Sequence, residues 1–387
     1  MIRVLHILNV LKPSGAEAML ASAAPIWRKS GIELQILSTG DVIGPYEGEL
    51  RAAGYAIDHL PFSKSLGYFH KLYTYLRKNR PDVVHIHPER ANFYHALVVW
   101  LSLSARIIRT VHNTFRFTGR LRLTKILERR IMTHLFGVTF VSIGESVRRE
   151  EADRFLNATI TIPNWYDSLR YMPRPTPAKR ELRSTLGLPI DRLILVSLGG
   201  CWEYKNHTAI LDALALLRSD KLYYVHIGQE GSERKELLYA TNLGIGHQVN
   251  FLGIVDDPLP YLHAADVYIM PSIYEGFGVA AAEAMGAGLP AILTDVPGLR
   301  DFKSLGPGIY WAQPTCQSIS EAMARIEKIP PSQLVDLGTS LSRVVAPTYG
   351  LSVGAIAHRD LYLSAEHLRG HDRAGEGTVR HAPRSGD

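Results

Sequence analysis

Glu275 and Glu283 stand eight residues apart in the segment Met270–Pro290, MPSIYEGFGVAAAEAMGAGLP. Gly276 and Gly278 flank Phe277 between them, and the helix-forming run Val279–Met285 follows, so a helix is expected to start just after Gly278. The first backbone N–H groups of such a helix have no partner inside it. With the helix dipole they form an anion site, suited to a phosphate or pyrophosphate, that glycines let come close. Glu275 falls in the loop before that terminus and Glu283 about one turn inside the helix, so the carboxylates bracket the phosphate position without facing each other as a dyad. A carboxylate accepts two hydrogen bonds from a vicinal diol, which makes each glutamate a candidate hydroxyl clamp. Taken singly, Glu275 also fits an acid favoured by a helix start, and Glu283 an ordinary helix residue.

Further candidates are single residues. Lys205, in Lys205-Asn206-His207, stands at a helix start, a place the dipole disfavours for a cation, which leans toward a function over a merely solvated side chain. Gly15 is either a turn glycine or one that lets an anion approach. His112 follows the apolar run Arg106–Val111 and so sits at the carboxyl end of a strand, where open α/β sheets bind ligands, although a lone histidine is more often structural. His85 and His87 read as packing or sheet-edge groups, His207 as part of a helix start, and Cys201 and Trp202 as packing residues.

The elements that must position these residues alternate. Ile2–Val10 is a strand pattern that ends at Lys12-Pro13-Ser14-Gly15 before a helix-patterned stretch, Ala16–Arg28. Apolar runs follow at Glu33–Ser38, Ala56–Leu60, Val83–Ile86, Arg106–Val111, Val138–Ser142 and Thr159–Ile162. After the proline-rich stretch Pro163–Pro177 a second series begins, with Leu193–Leu198 leading into Gly199-Gly200, then Tyr223–Ile227, Val249–Leu252, Val267–Met270 and Ala291–Leu293. Strands spaced by helix-length segments predict two tandem Rossmann-like, doubly wound parallel-sheet domains of the α/β class with a cleft between them. The expected boundaries are 1–170, 171–350, a last helix at 351–369 packing back toward the first domain, and a disordered polar tail at 370–387.

Composition narrows the class. A chain of 387 residues, 46% hydrophobic and 21% charged, has material for two cores and is neither disordered nor fibrous. Two cysteines, Cys201 and Cys316, supply neither a disulfide framework nor a structural zinc site. The most apolar stretch, Ala96–Ala105, is too short to span a bilayer, and Arg3 and His6 interrupt the first apolar run, so no secretory signal is read and a soluble, cytoplasmic chain is expected. No G-x-G-x-x-G stands between a strand and a helix. Its imitation, Gly286-Ala287-Gly288-Leu289-Pro290-Ala291, follows a helix and precedes a strand, which argues against a dinucleotide site. A Walker A loop, G-x-S-x-G, H-E-x-x-H and D-x-D are also missing.

The string EGFGVAAAE, preceded by PS and followed by AMGAGLP, resembles the glutamate, seven residues, glutamate signature of the retaining glycosyltransferases of family 4, glycosyl transferases group 1, which have the GT-B fold. Further matches run from Leu5 to Phe302 and include Ser14-Gly15-Ala16-Glu17, Val84-His85-Ile86-His87, Thr110-Val111-His112, Ile162-Pro163-Asn164, Lys205-Asn206-His207, Val249-Asn250-Phe251-Leu252-Gly253 and Ala265-Asp266-Val267. The resemblance implies transfer of a sugar from a nucleotide-diphosphate sugar, UDP- or GDP-linked, to a hydroxyl of a glycan or lipid-linked acceptor. It further implies retention of configuration and neither metal nor other cofactor. It places Glu283 on the donor ribose, Glu275 on the transferred sugar, Lys205 on the phosphates, and His112 near the reacting centre. It places Gly15, Gly199 and the backbone of Gly276, Phe277, Gly278 and Val279 beside the pyrophosphate or sugar, and Phe251, Leu252 and Gly253 near the base. Where the family commonly has an arginine after the loop's first glycine, this chain has Gly200, with Arg300 or a first-domain cation as a substitute. A catalytically impaired nucleotide-sugar-binding module and a GT-B-type epimerase are the alternatives.

Charge is uneven. Residues 1–170 hold 23 Lys+Arg against 14 Asp+Glu, whereas the rest is slightly acidic, which suits an anionic partner or simply a basic surface. No recognition motif points to nucleic acid. Arg116–Arg130, RFTGRLRLTKILERR, and Tyr68–Arg80, YFHKLYTYLRKNR, are basic and amphipathic. Each is either a contact with an anionic membrane, peripheral on the inner face of the plasma membrane and suited to a polyprenyl-linked acceptor, or a surface helix with its apolar face in the core. Cell-envelope or exopolysaccharide synthesis is the expected setting.

Overall fold

The structure is a computed structural model that describes residues 1–102, 105–174 and 177–374. In the first domain the strands are β1 (Ile2–Leu8), β2 (Ile32–Ser38), β3 (Ala56–His59), β4 (Val83–Ile86), β5 (Arg106–Val111), β6 (Thr139–Ser142) and β7 (Ile160–Thr161). They form one parallel sheet in the order β3-β2-β1-β4-β5-β6-β7. Helices α1 (Gly15–Lys29), α2 (Glu47–Ala53), α3 (Leu66–Asn79), α4 (Asn92–Ser102), α5 (Gly119–His134) and α6 (Glu145–Phe155) supply the crossovers.

The second domain repeats the plan. Its strands are β8 (Leu193–Leu198), β9 (Leu222–Ile227), β10 (Val249–Phe251), β11 (Val267–Met270), β12 (Ala291–Thr294) and β13 (Ile309–Ala312), parallel in the order β10-β9-β8-β11-β12-β13. Helices α7 (Pro177–Thr185), α8 (His207–Leu217), α9 (Lys235–Asn242), α10 (Leu259–Ala264), α11 (Val279–Gly286), α12 (Cys316–Glu327) and α13 (Pro331–Tyr349) surround it, and α14 (Leu351–Ala374) follows. Helices cover both faces, so the central strands β4, β11 and β12 are buried along their whole length, which is why they read as continuous apolar runs. The strand order reverses between β1 and β4 and again between β8 and β11. Doubly wound sheets open a crevice at such points, outside the carboxyl ends of the strands. The two-sheet architecture agrees with the alternation in the sequence; β13 lay outside that reading.

Two strands of chain join the domains and are bonded to each other: Tyr166 N–H donates to the Tyr349 carbonyl at 3.1 Å, and Leu351 N–H to Ser168 Oγ at 3.3 Å. Helix α14 then lies on α1 and β1 of the first domain. Trp27 Nε1 donates to the Ala355 carbonyl at 2.7 Å, and the Tyr362 hydroxyl meets His85 Nδ1 at 2.8 Å. The helix runs to Ala374, five residues past its expected end, and residues 375–387 of the expected tail lie outside the described residues. Among the described residues no helix is long and apolar enough to cross a membrane.

The two basic stretches part company. In α3 the apolar residues Tyr68, Leu72 and Leu76 are buried, so Tyr68–Arg80 is a surface helix with its face in the core. In α5 the pattern is inverted. Leu121, Leu123 and Leu127 are 51%, 66% and 59% exposed, while Arg129 is buried against the Glu151 carboxylate with contacts of 2.7 and 2.8 Å. The apolar side of Arg116–Arg130 therefore faces out.

A contact between domains caps a helix. Asp301, from the second domain, accepts hydrogen bonds from Ser146 N–H at 3.0 Å and Ser146 Oγ at 2.6 Å at the start of α6, where Gly144 has no side chain for that task. Asp301→Ala is expected to cost about 1 kcal/mol, the usual worth of an N-cap, and to lower the melting temperature by about 2 °C in calorimetry; an unchanged melt would show that the cap is not made.

Candidate active site in the interdomain cleft

The loop from β11 to α11 is shaped by two glycines. Gly278 has φ +93°, and a Cβ there would come within 2.6 Å of Leu299. A Cβ at Gly276 would lie 2.1 Å from the His112 carbonyl oxygen, so this loop presses against the carboxyl end of β5 in the other domain. Phe277 is buried, its ring 5.1 Å from those of Phe302 and Tyr349, which anchors the loop and leaves only its backbone for a ligand. Helix α11 starts at Val279, as its sequence implies, with no side-chain cap. A Cβ on Gly15 would meet Val279 Cγ2 at 3.1 Å, so the amino ends of α1 and α11 meet across the cleft. At α1, Ser14 Oγ accepts from Ala16 N–H at 3.3 Å and donates to the buried Glu17 carboxylate.

Two sequence candidates form an ion pair. Lys205 Nζ donates to Glu275 Oε1 at 2.6 Å, and Ser272 Oγ donates to the same oxygen at 2.7 Å. The side chains are 17% and 11% exposed, enough shielding for the charges to matter. One of the three ammonium donors is engaged in this pair, and Glu275 Oε2 has no partner among the described residues. The Lys205 stem crosses Gly199, where a Cβ would lie 3.7 Å from its Cε. At Gly200 a Cβ would come within 2.6 Å of Trp202 Nε1. The indole thus occupies the room an arginine would need. Trp202 is 52% exposed, which corrects its reading as a packing residue, whereas Cys201 is half-buried against His226. Arg300 donates to the Asp295 carboxylate at 2.7 Å and to the Asp295 carbonyl at 2.9 Å.

Glu283 is half-buried on α11, and its carboxylate accepts no hydrogen bond among the described residues. Burial pushes its carboxyl up to about 7, opposed by the Arg170 guanidinium and reinforced by the Asp167 carboxylate, both on the segment joining the domains. Sequence reasoning missed Arg170 and Asp167 because that segment carries no periodic pattern. The Phe251-Leu252-Gly253 loop is largely committed: Leu252 N–H donates to the His226 carbonyl, and the Gly253 and Phe251 carbonyls accept from Gly228 and Arg234. Its Gly253 N–H and Leu252 carbonyl have no partner among the described residues.

His112 is half-buried, and burial with the neighbouring Arg109 pushes its imidazole down to about 3, so it is neutral at neutral pH. Its Nε2 lies 2.9 Å from His87 Nδ1, and His87 Nε2 lies 3.0 Å from His6 Nδ1. His87 is therefore not a mere packing group, whereas His85 is a buried tie between Thr110 and Tyr362. Nitrogens of His6, His85 and His87 lie within 4.8 Å of one another, a spacing a metal ion could use, but both His85 nitrogens and the facing His6 and His87 nitrogens are engaged in these hydrogen bonds.

Family models match most of the chain: Glycosyltransferase Family 4 over residues 13–169 and Glycosyl transferases group 1 over residues 178–338. A putative glycosyltransferase EpsF of Bacillus subtilis is 27% identical over 315 residues, 76% of this chain and 79% of its own length. The UDP-Gal:alpha-D-GlcNAc-diphosphoundecaprenol alpha-1,3-galactosyltransferase of Escherichia coli is 24% identical over 241 residues, 59% of this chain and 61% of its own. Anabaena HepE, solved in complex with UDP, superposes with a TM-score of 0.78 at 18% identity, covering 93% of this chain and 99% of HepE. The fold is GT-B, and the chain belongs to the family 4, group 1 glycosyltransferases.

The Glu283 carboxyl yields a pH prediction. Its folded pKa of about 7 lies above the ordinary 4.5, so the native state binds more protons than the unfolded chain between these values, and stability falls as pH rises through that window. Glu283→Gln removes this penalty. The variant is expected to melt several degrees higher than wild type above pH 7, with the gap closing toward pH 4.5. A gap independent of pH in thermal scans contradicts the assignment.

Proposed function

We propose that the protein is a retaining, metal-independent glycosyltransferase that moves a sugar from a nucleoside-diphosphate sugar, UDP-linked by preference, to a hydroxyl of a glycan or polyprenyl-linked acceptor. The observation that carries this reading is the cleft itself, where the uncapped amino end of α11 meets that of α1 beside the Lys205–Glu275 pair. Two helix amino ends and an ammonium suit a diphosphate. The UDP in HepE and the UDP-galactose in the name of the Escherichia coli relative support a uridine donor.

In the mechanism, Lys205 and the α11 terminus bind the diphosphate, with Gly15, Gly199 and Gly276 to Val279 giving close backbone approach. Glu283 holds ribose hydroxyls, and Glu275 and His112 orient the sugar. The bond from the anomeric carbon to the diphosphate oxygen breaks while the acceptor oxygen bonds to the same face. The acceptor proton passes to the departing phosphate oxygen, so no protein nucleophile takes part. Stabilising the leaving diphosphate by fixed charges and helix dipoles lowers the barrier.

The acceptor side rests on α5. Three outward leucines among Arg116, Arg120, Arg122 and Arg130 suit an anionic bilayer surface, where a polyprenyl-linked acceptor would be met, as the acceptor in the name of the Escherichia coli relative is. On this reading the protein works peripherally on a membrane, in cell-envelope or exopolysaccharide synthesis.

Titration calorimetry and hydrolysis assays in EDTA with UDP-, GDP-, ADP- and TDP-sugars test the donor site. Glu283→Ala is expected to weaken nucleotide binding at least tenfold, the worth of a lost charged hydrogen bond, and Lys205→Ala to lower turnover about a hundredfold. Wild-type behaviour in both variants sinks the assignment. Nucleotide binding without turnover toward any acceptor would instead identify a binding module, the reading that Gly200 favours. In vesicle co-sedimentation, Leu123→Ser with Leu127→Ser is expected to abolish binding to phosphatidylglycerol vesicles, and equal pelleting of both proteins refutes the membrane contact.

A further inference from the structure

His6, His87 and His112 come from three neighbouring strands of one sheet. His6 lies within β1, His87 just past β4 and His112 just past β5; the parallel register pairs His6 with His85 and Ile86 with Arg109, so each of the three stands two residues further along its strand than the one before, on the same face, and their rings run diagonally across the sheet. The two contacts between rings are nitrogen to nitrogen, at 3.0 and 2.9 Å. A neutral imidazole has one N–H and one bare nitrogen, so each contact needs a donor on one side and an acceptor on the other. The chain can therefore be protonated in only two ways, with all N–H groups pointing from His112 toward His6 or all from His6 toward His112. Desolvation pushes His6 and His112 down to about 3 and His87 well below its ordinary value, so all three rings are neutral at neutral pH.

The far end of the chain decides between the two. His6 is fully buried, and its Nε2 has no partner among the described residues. The ring stacks on Trp27 at 5.8 Å and is edged by Tyr55 and Tyr362, both at 5.9 Å. The polar atoms of these neighbours are engaged elsewhere: Trp27 Nε1 with the Ala355 carbonyl, the Tyr55 hydroxyl with the Leu20 carbonyl, and the Tyr362 hydroxyl with His85. In the first arrangement His6 carries its proton on Nε2, a buried N–H with nothing to accept it. In the second, Nε2 is only a bare nitrogen. Orphaned buried N–H groups are the rarer and costlier defect.

We infer that this dead end holds His112 as the Nδ1–H tautomer, so that it offers the cleft a hydrogen-bond donor and not a base, with His87 and His6 as its positioning residues. The one bare nitrogen of His112, Nε2, is used up in accepting from His87, while Nδ1 has no hydrogen-bond partner among the described residues. Resting on the glycosyltransferase reading, this adds a chemical preference: the ligand group beside His112 is an oxygen that accepts, such as a sugar hydroxyl, and the acceptor proton must leave by another route, the departing phosphate oxygen.

The test is the histidine tautomer in the resting full-length protein, labelled with nitrogen-15 on its histidine rings and read by long-range proton–nitrogen correlation, with His112→Asn to assign its signals. Nδ1 of His112 is expected in the protonated, pyrrole-type range and Nε2 in the bare, pyridine-type range. The opposite pattern overturns the inference whatever the activity, and the expected pattern without any nucleotide-sugar binding would leave the tautomer relay standing while refuting the donor reading. His6→Asn, whose amide can donate in place of Nδ1–H, is expected to keep the Nδ1–H form. His87→Leu is expected to shift His112 toward Nε2–H and to lower kcat about tenfold, the worth of one oriented hydrogen bond, with nucleotide affinity unchanged. An unshifted tautomer in His87→Leu contradicts the positioning role.

Discussion

Two helix amino ends held nearly in contact are the constraint on which the cleft depends. Each carries about half a positive charge together with N–H groups that its own helix cannot satisfy, so bringing α1 and α11 together concentrates positive potential where water is partly excluded. The absence of a side chain at Gly15 allows the approach to Val279, and the left-handed Gly278 turns the chain into α11 at the right place. Such an arrangement is unfavourable when empty and favourable once an anion lies between the helix ends.

The rest of the molecule keeps these ends in place. Each sheet opens at its point of reversal, β1 against β4 and β8 against β11, and the helices that meet follow one strand of each pair. The domains are linked by two mutually bonded chain crossings, by Asp301 capping α6, and by α14 lying on α1. The Lys205–Glu275 pair keeps an ammonium at the cleft with a carboxylate beside it, so the cation is positioned before a ligand arrives, and two of its N–H donors have no partner among the described residues.

Much of this was legible in the sequence. The start of α11 after Gly278 and the positions of β4, β5, β8 and β11 follow from local pattern, since short apolar runs, bounded by proline or glycine at β4, β8 and β11, determine them without long-range help. What was hidden depends on side chains meeting across elements. Lys205 and Glu275 could be assigned separately, but not as an ion pair shared with Ser272. Arg170 and Asp167 act on Glu283 from a segment without periodicity. The leucines of α5 carry a spacing compatible with a buried face, and burial goes instead to Arg129, because Glu151 pairs with it. His87 reads as a packing or sheet-edge group, and only the ring contacts made across the folded sheet reveal its place between His6 and His112.

The most direct test of the central claim is a crystal structure of the protein soaked with UDP. The account predicts the diphosphate between the amino ends of α1 and α11, within hydrogen-bond distance of backbone N–H groups at Val279, with Lys205 Nζ turned onto a phosphate oxygen. UDP bound elsewhere, or the diphosphate in the cleft with Lys205 still held by Glu275 alone and no backbone N–H of α11 engaged, would contradict it.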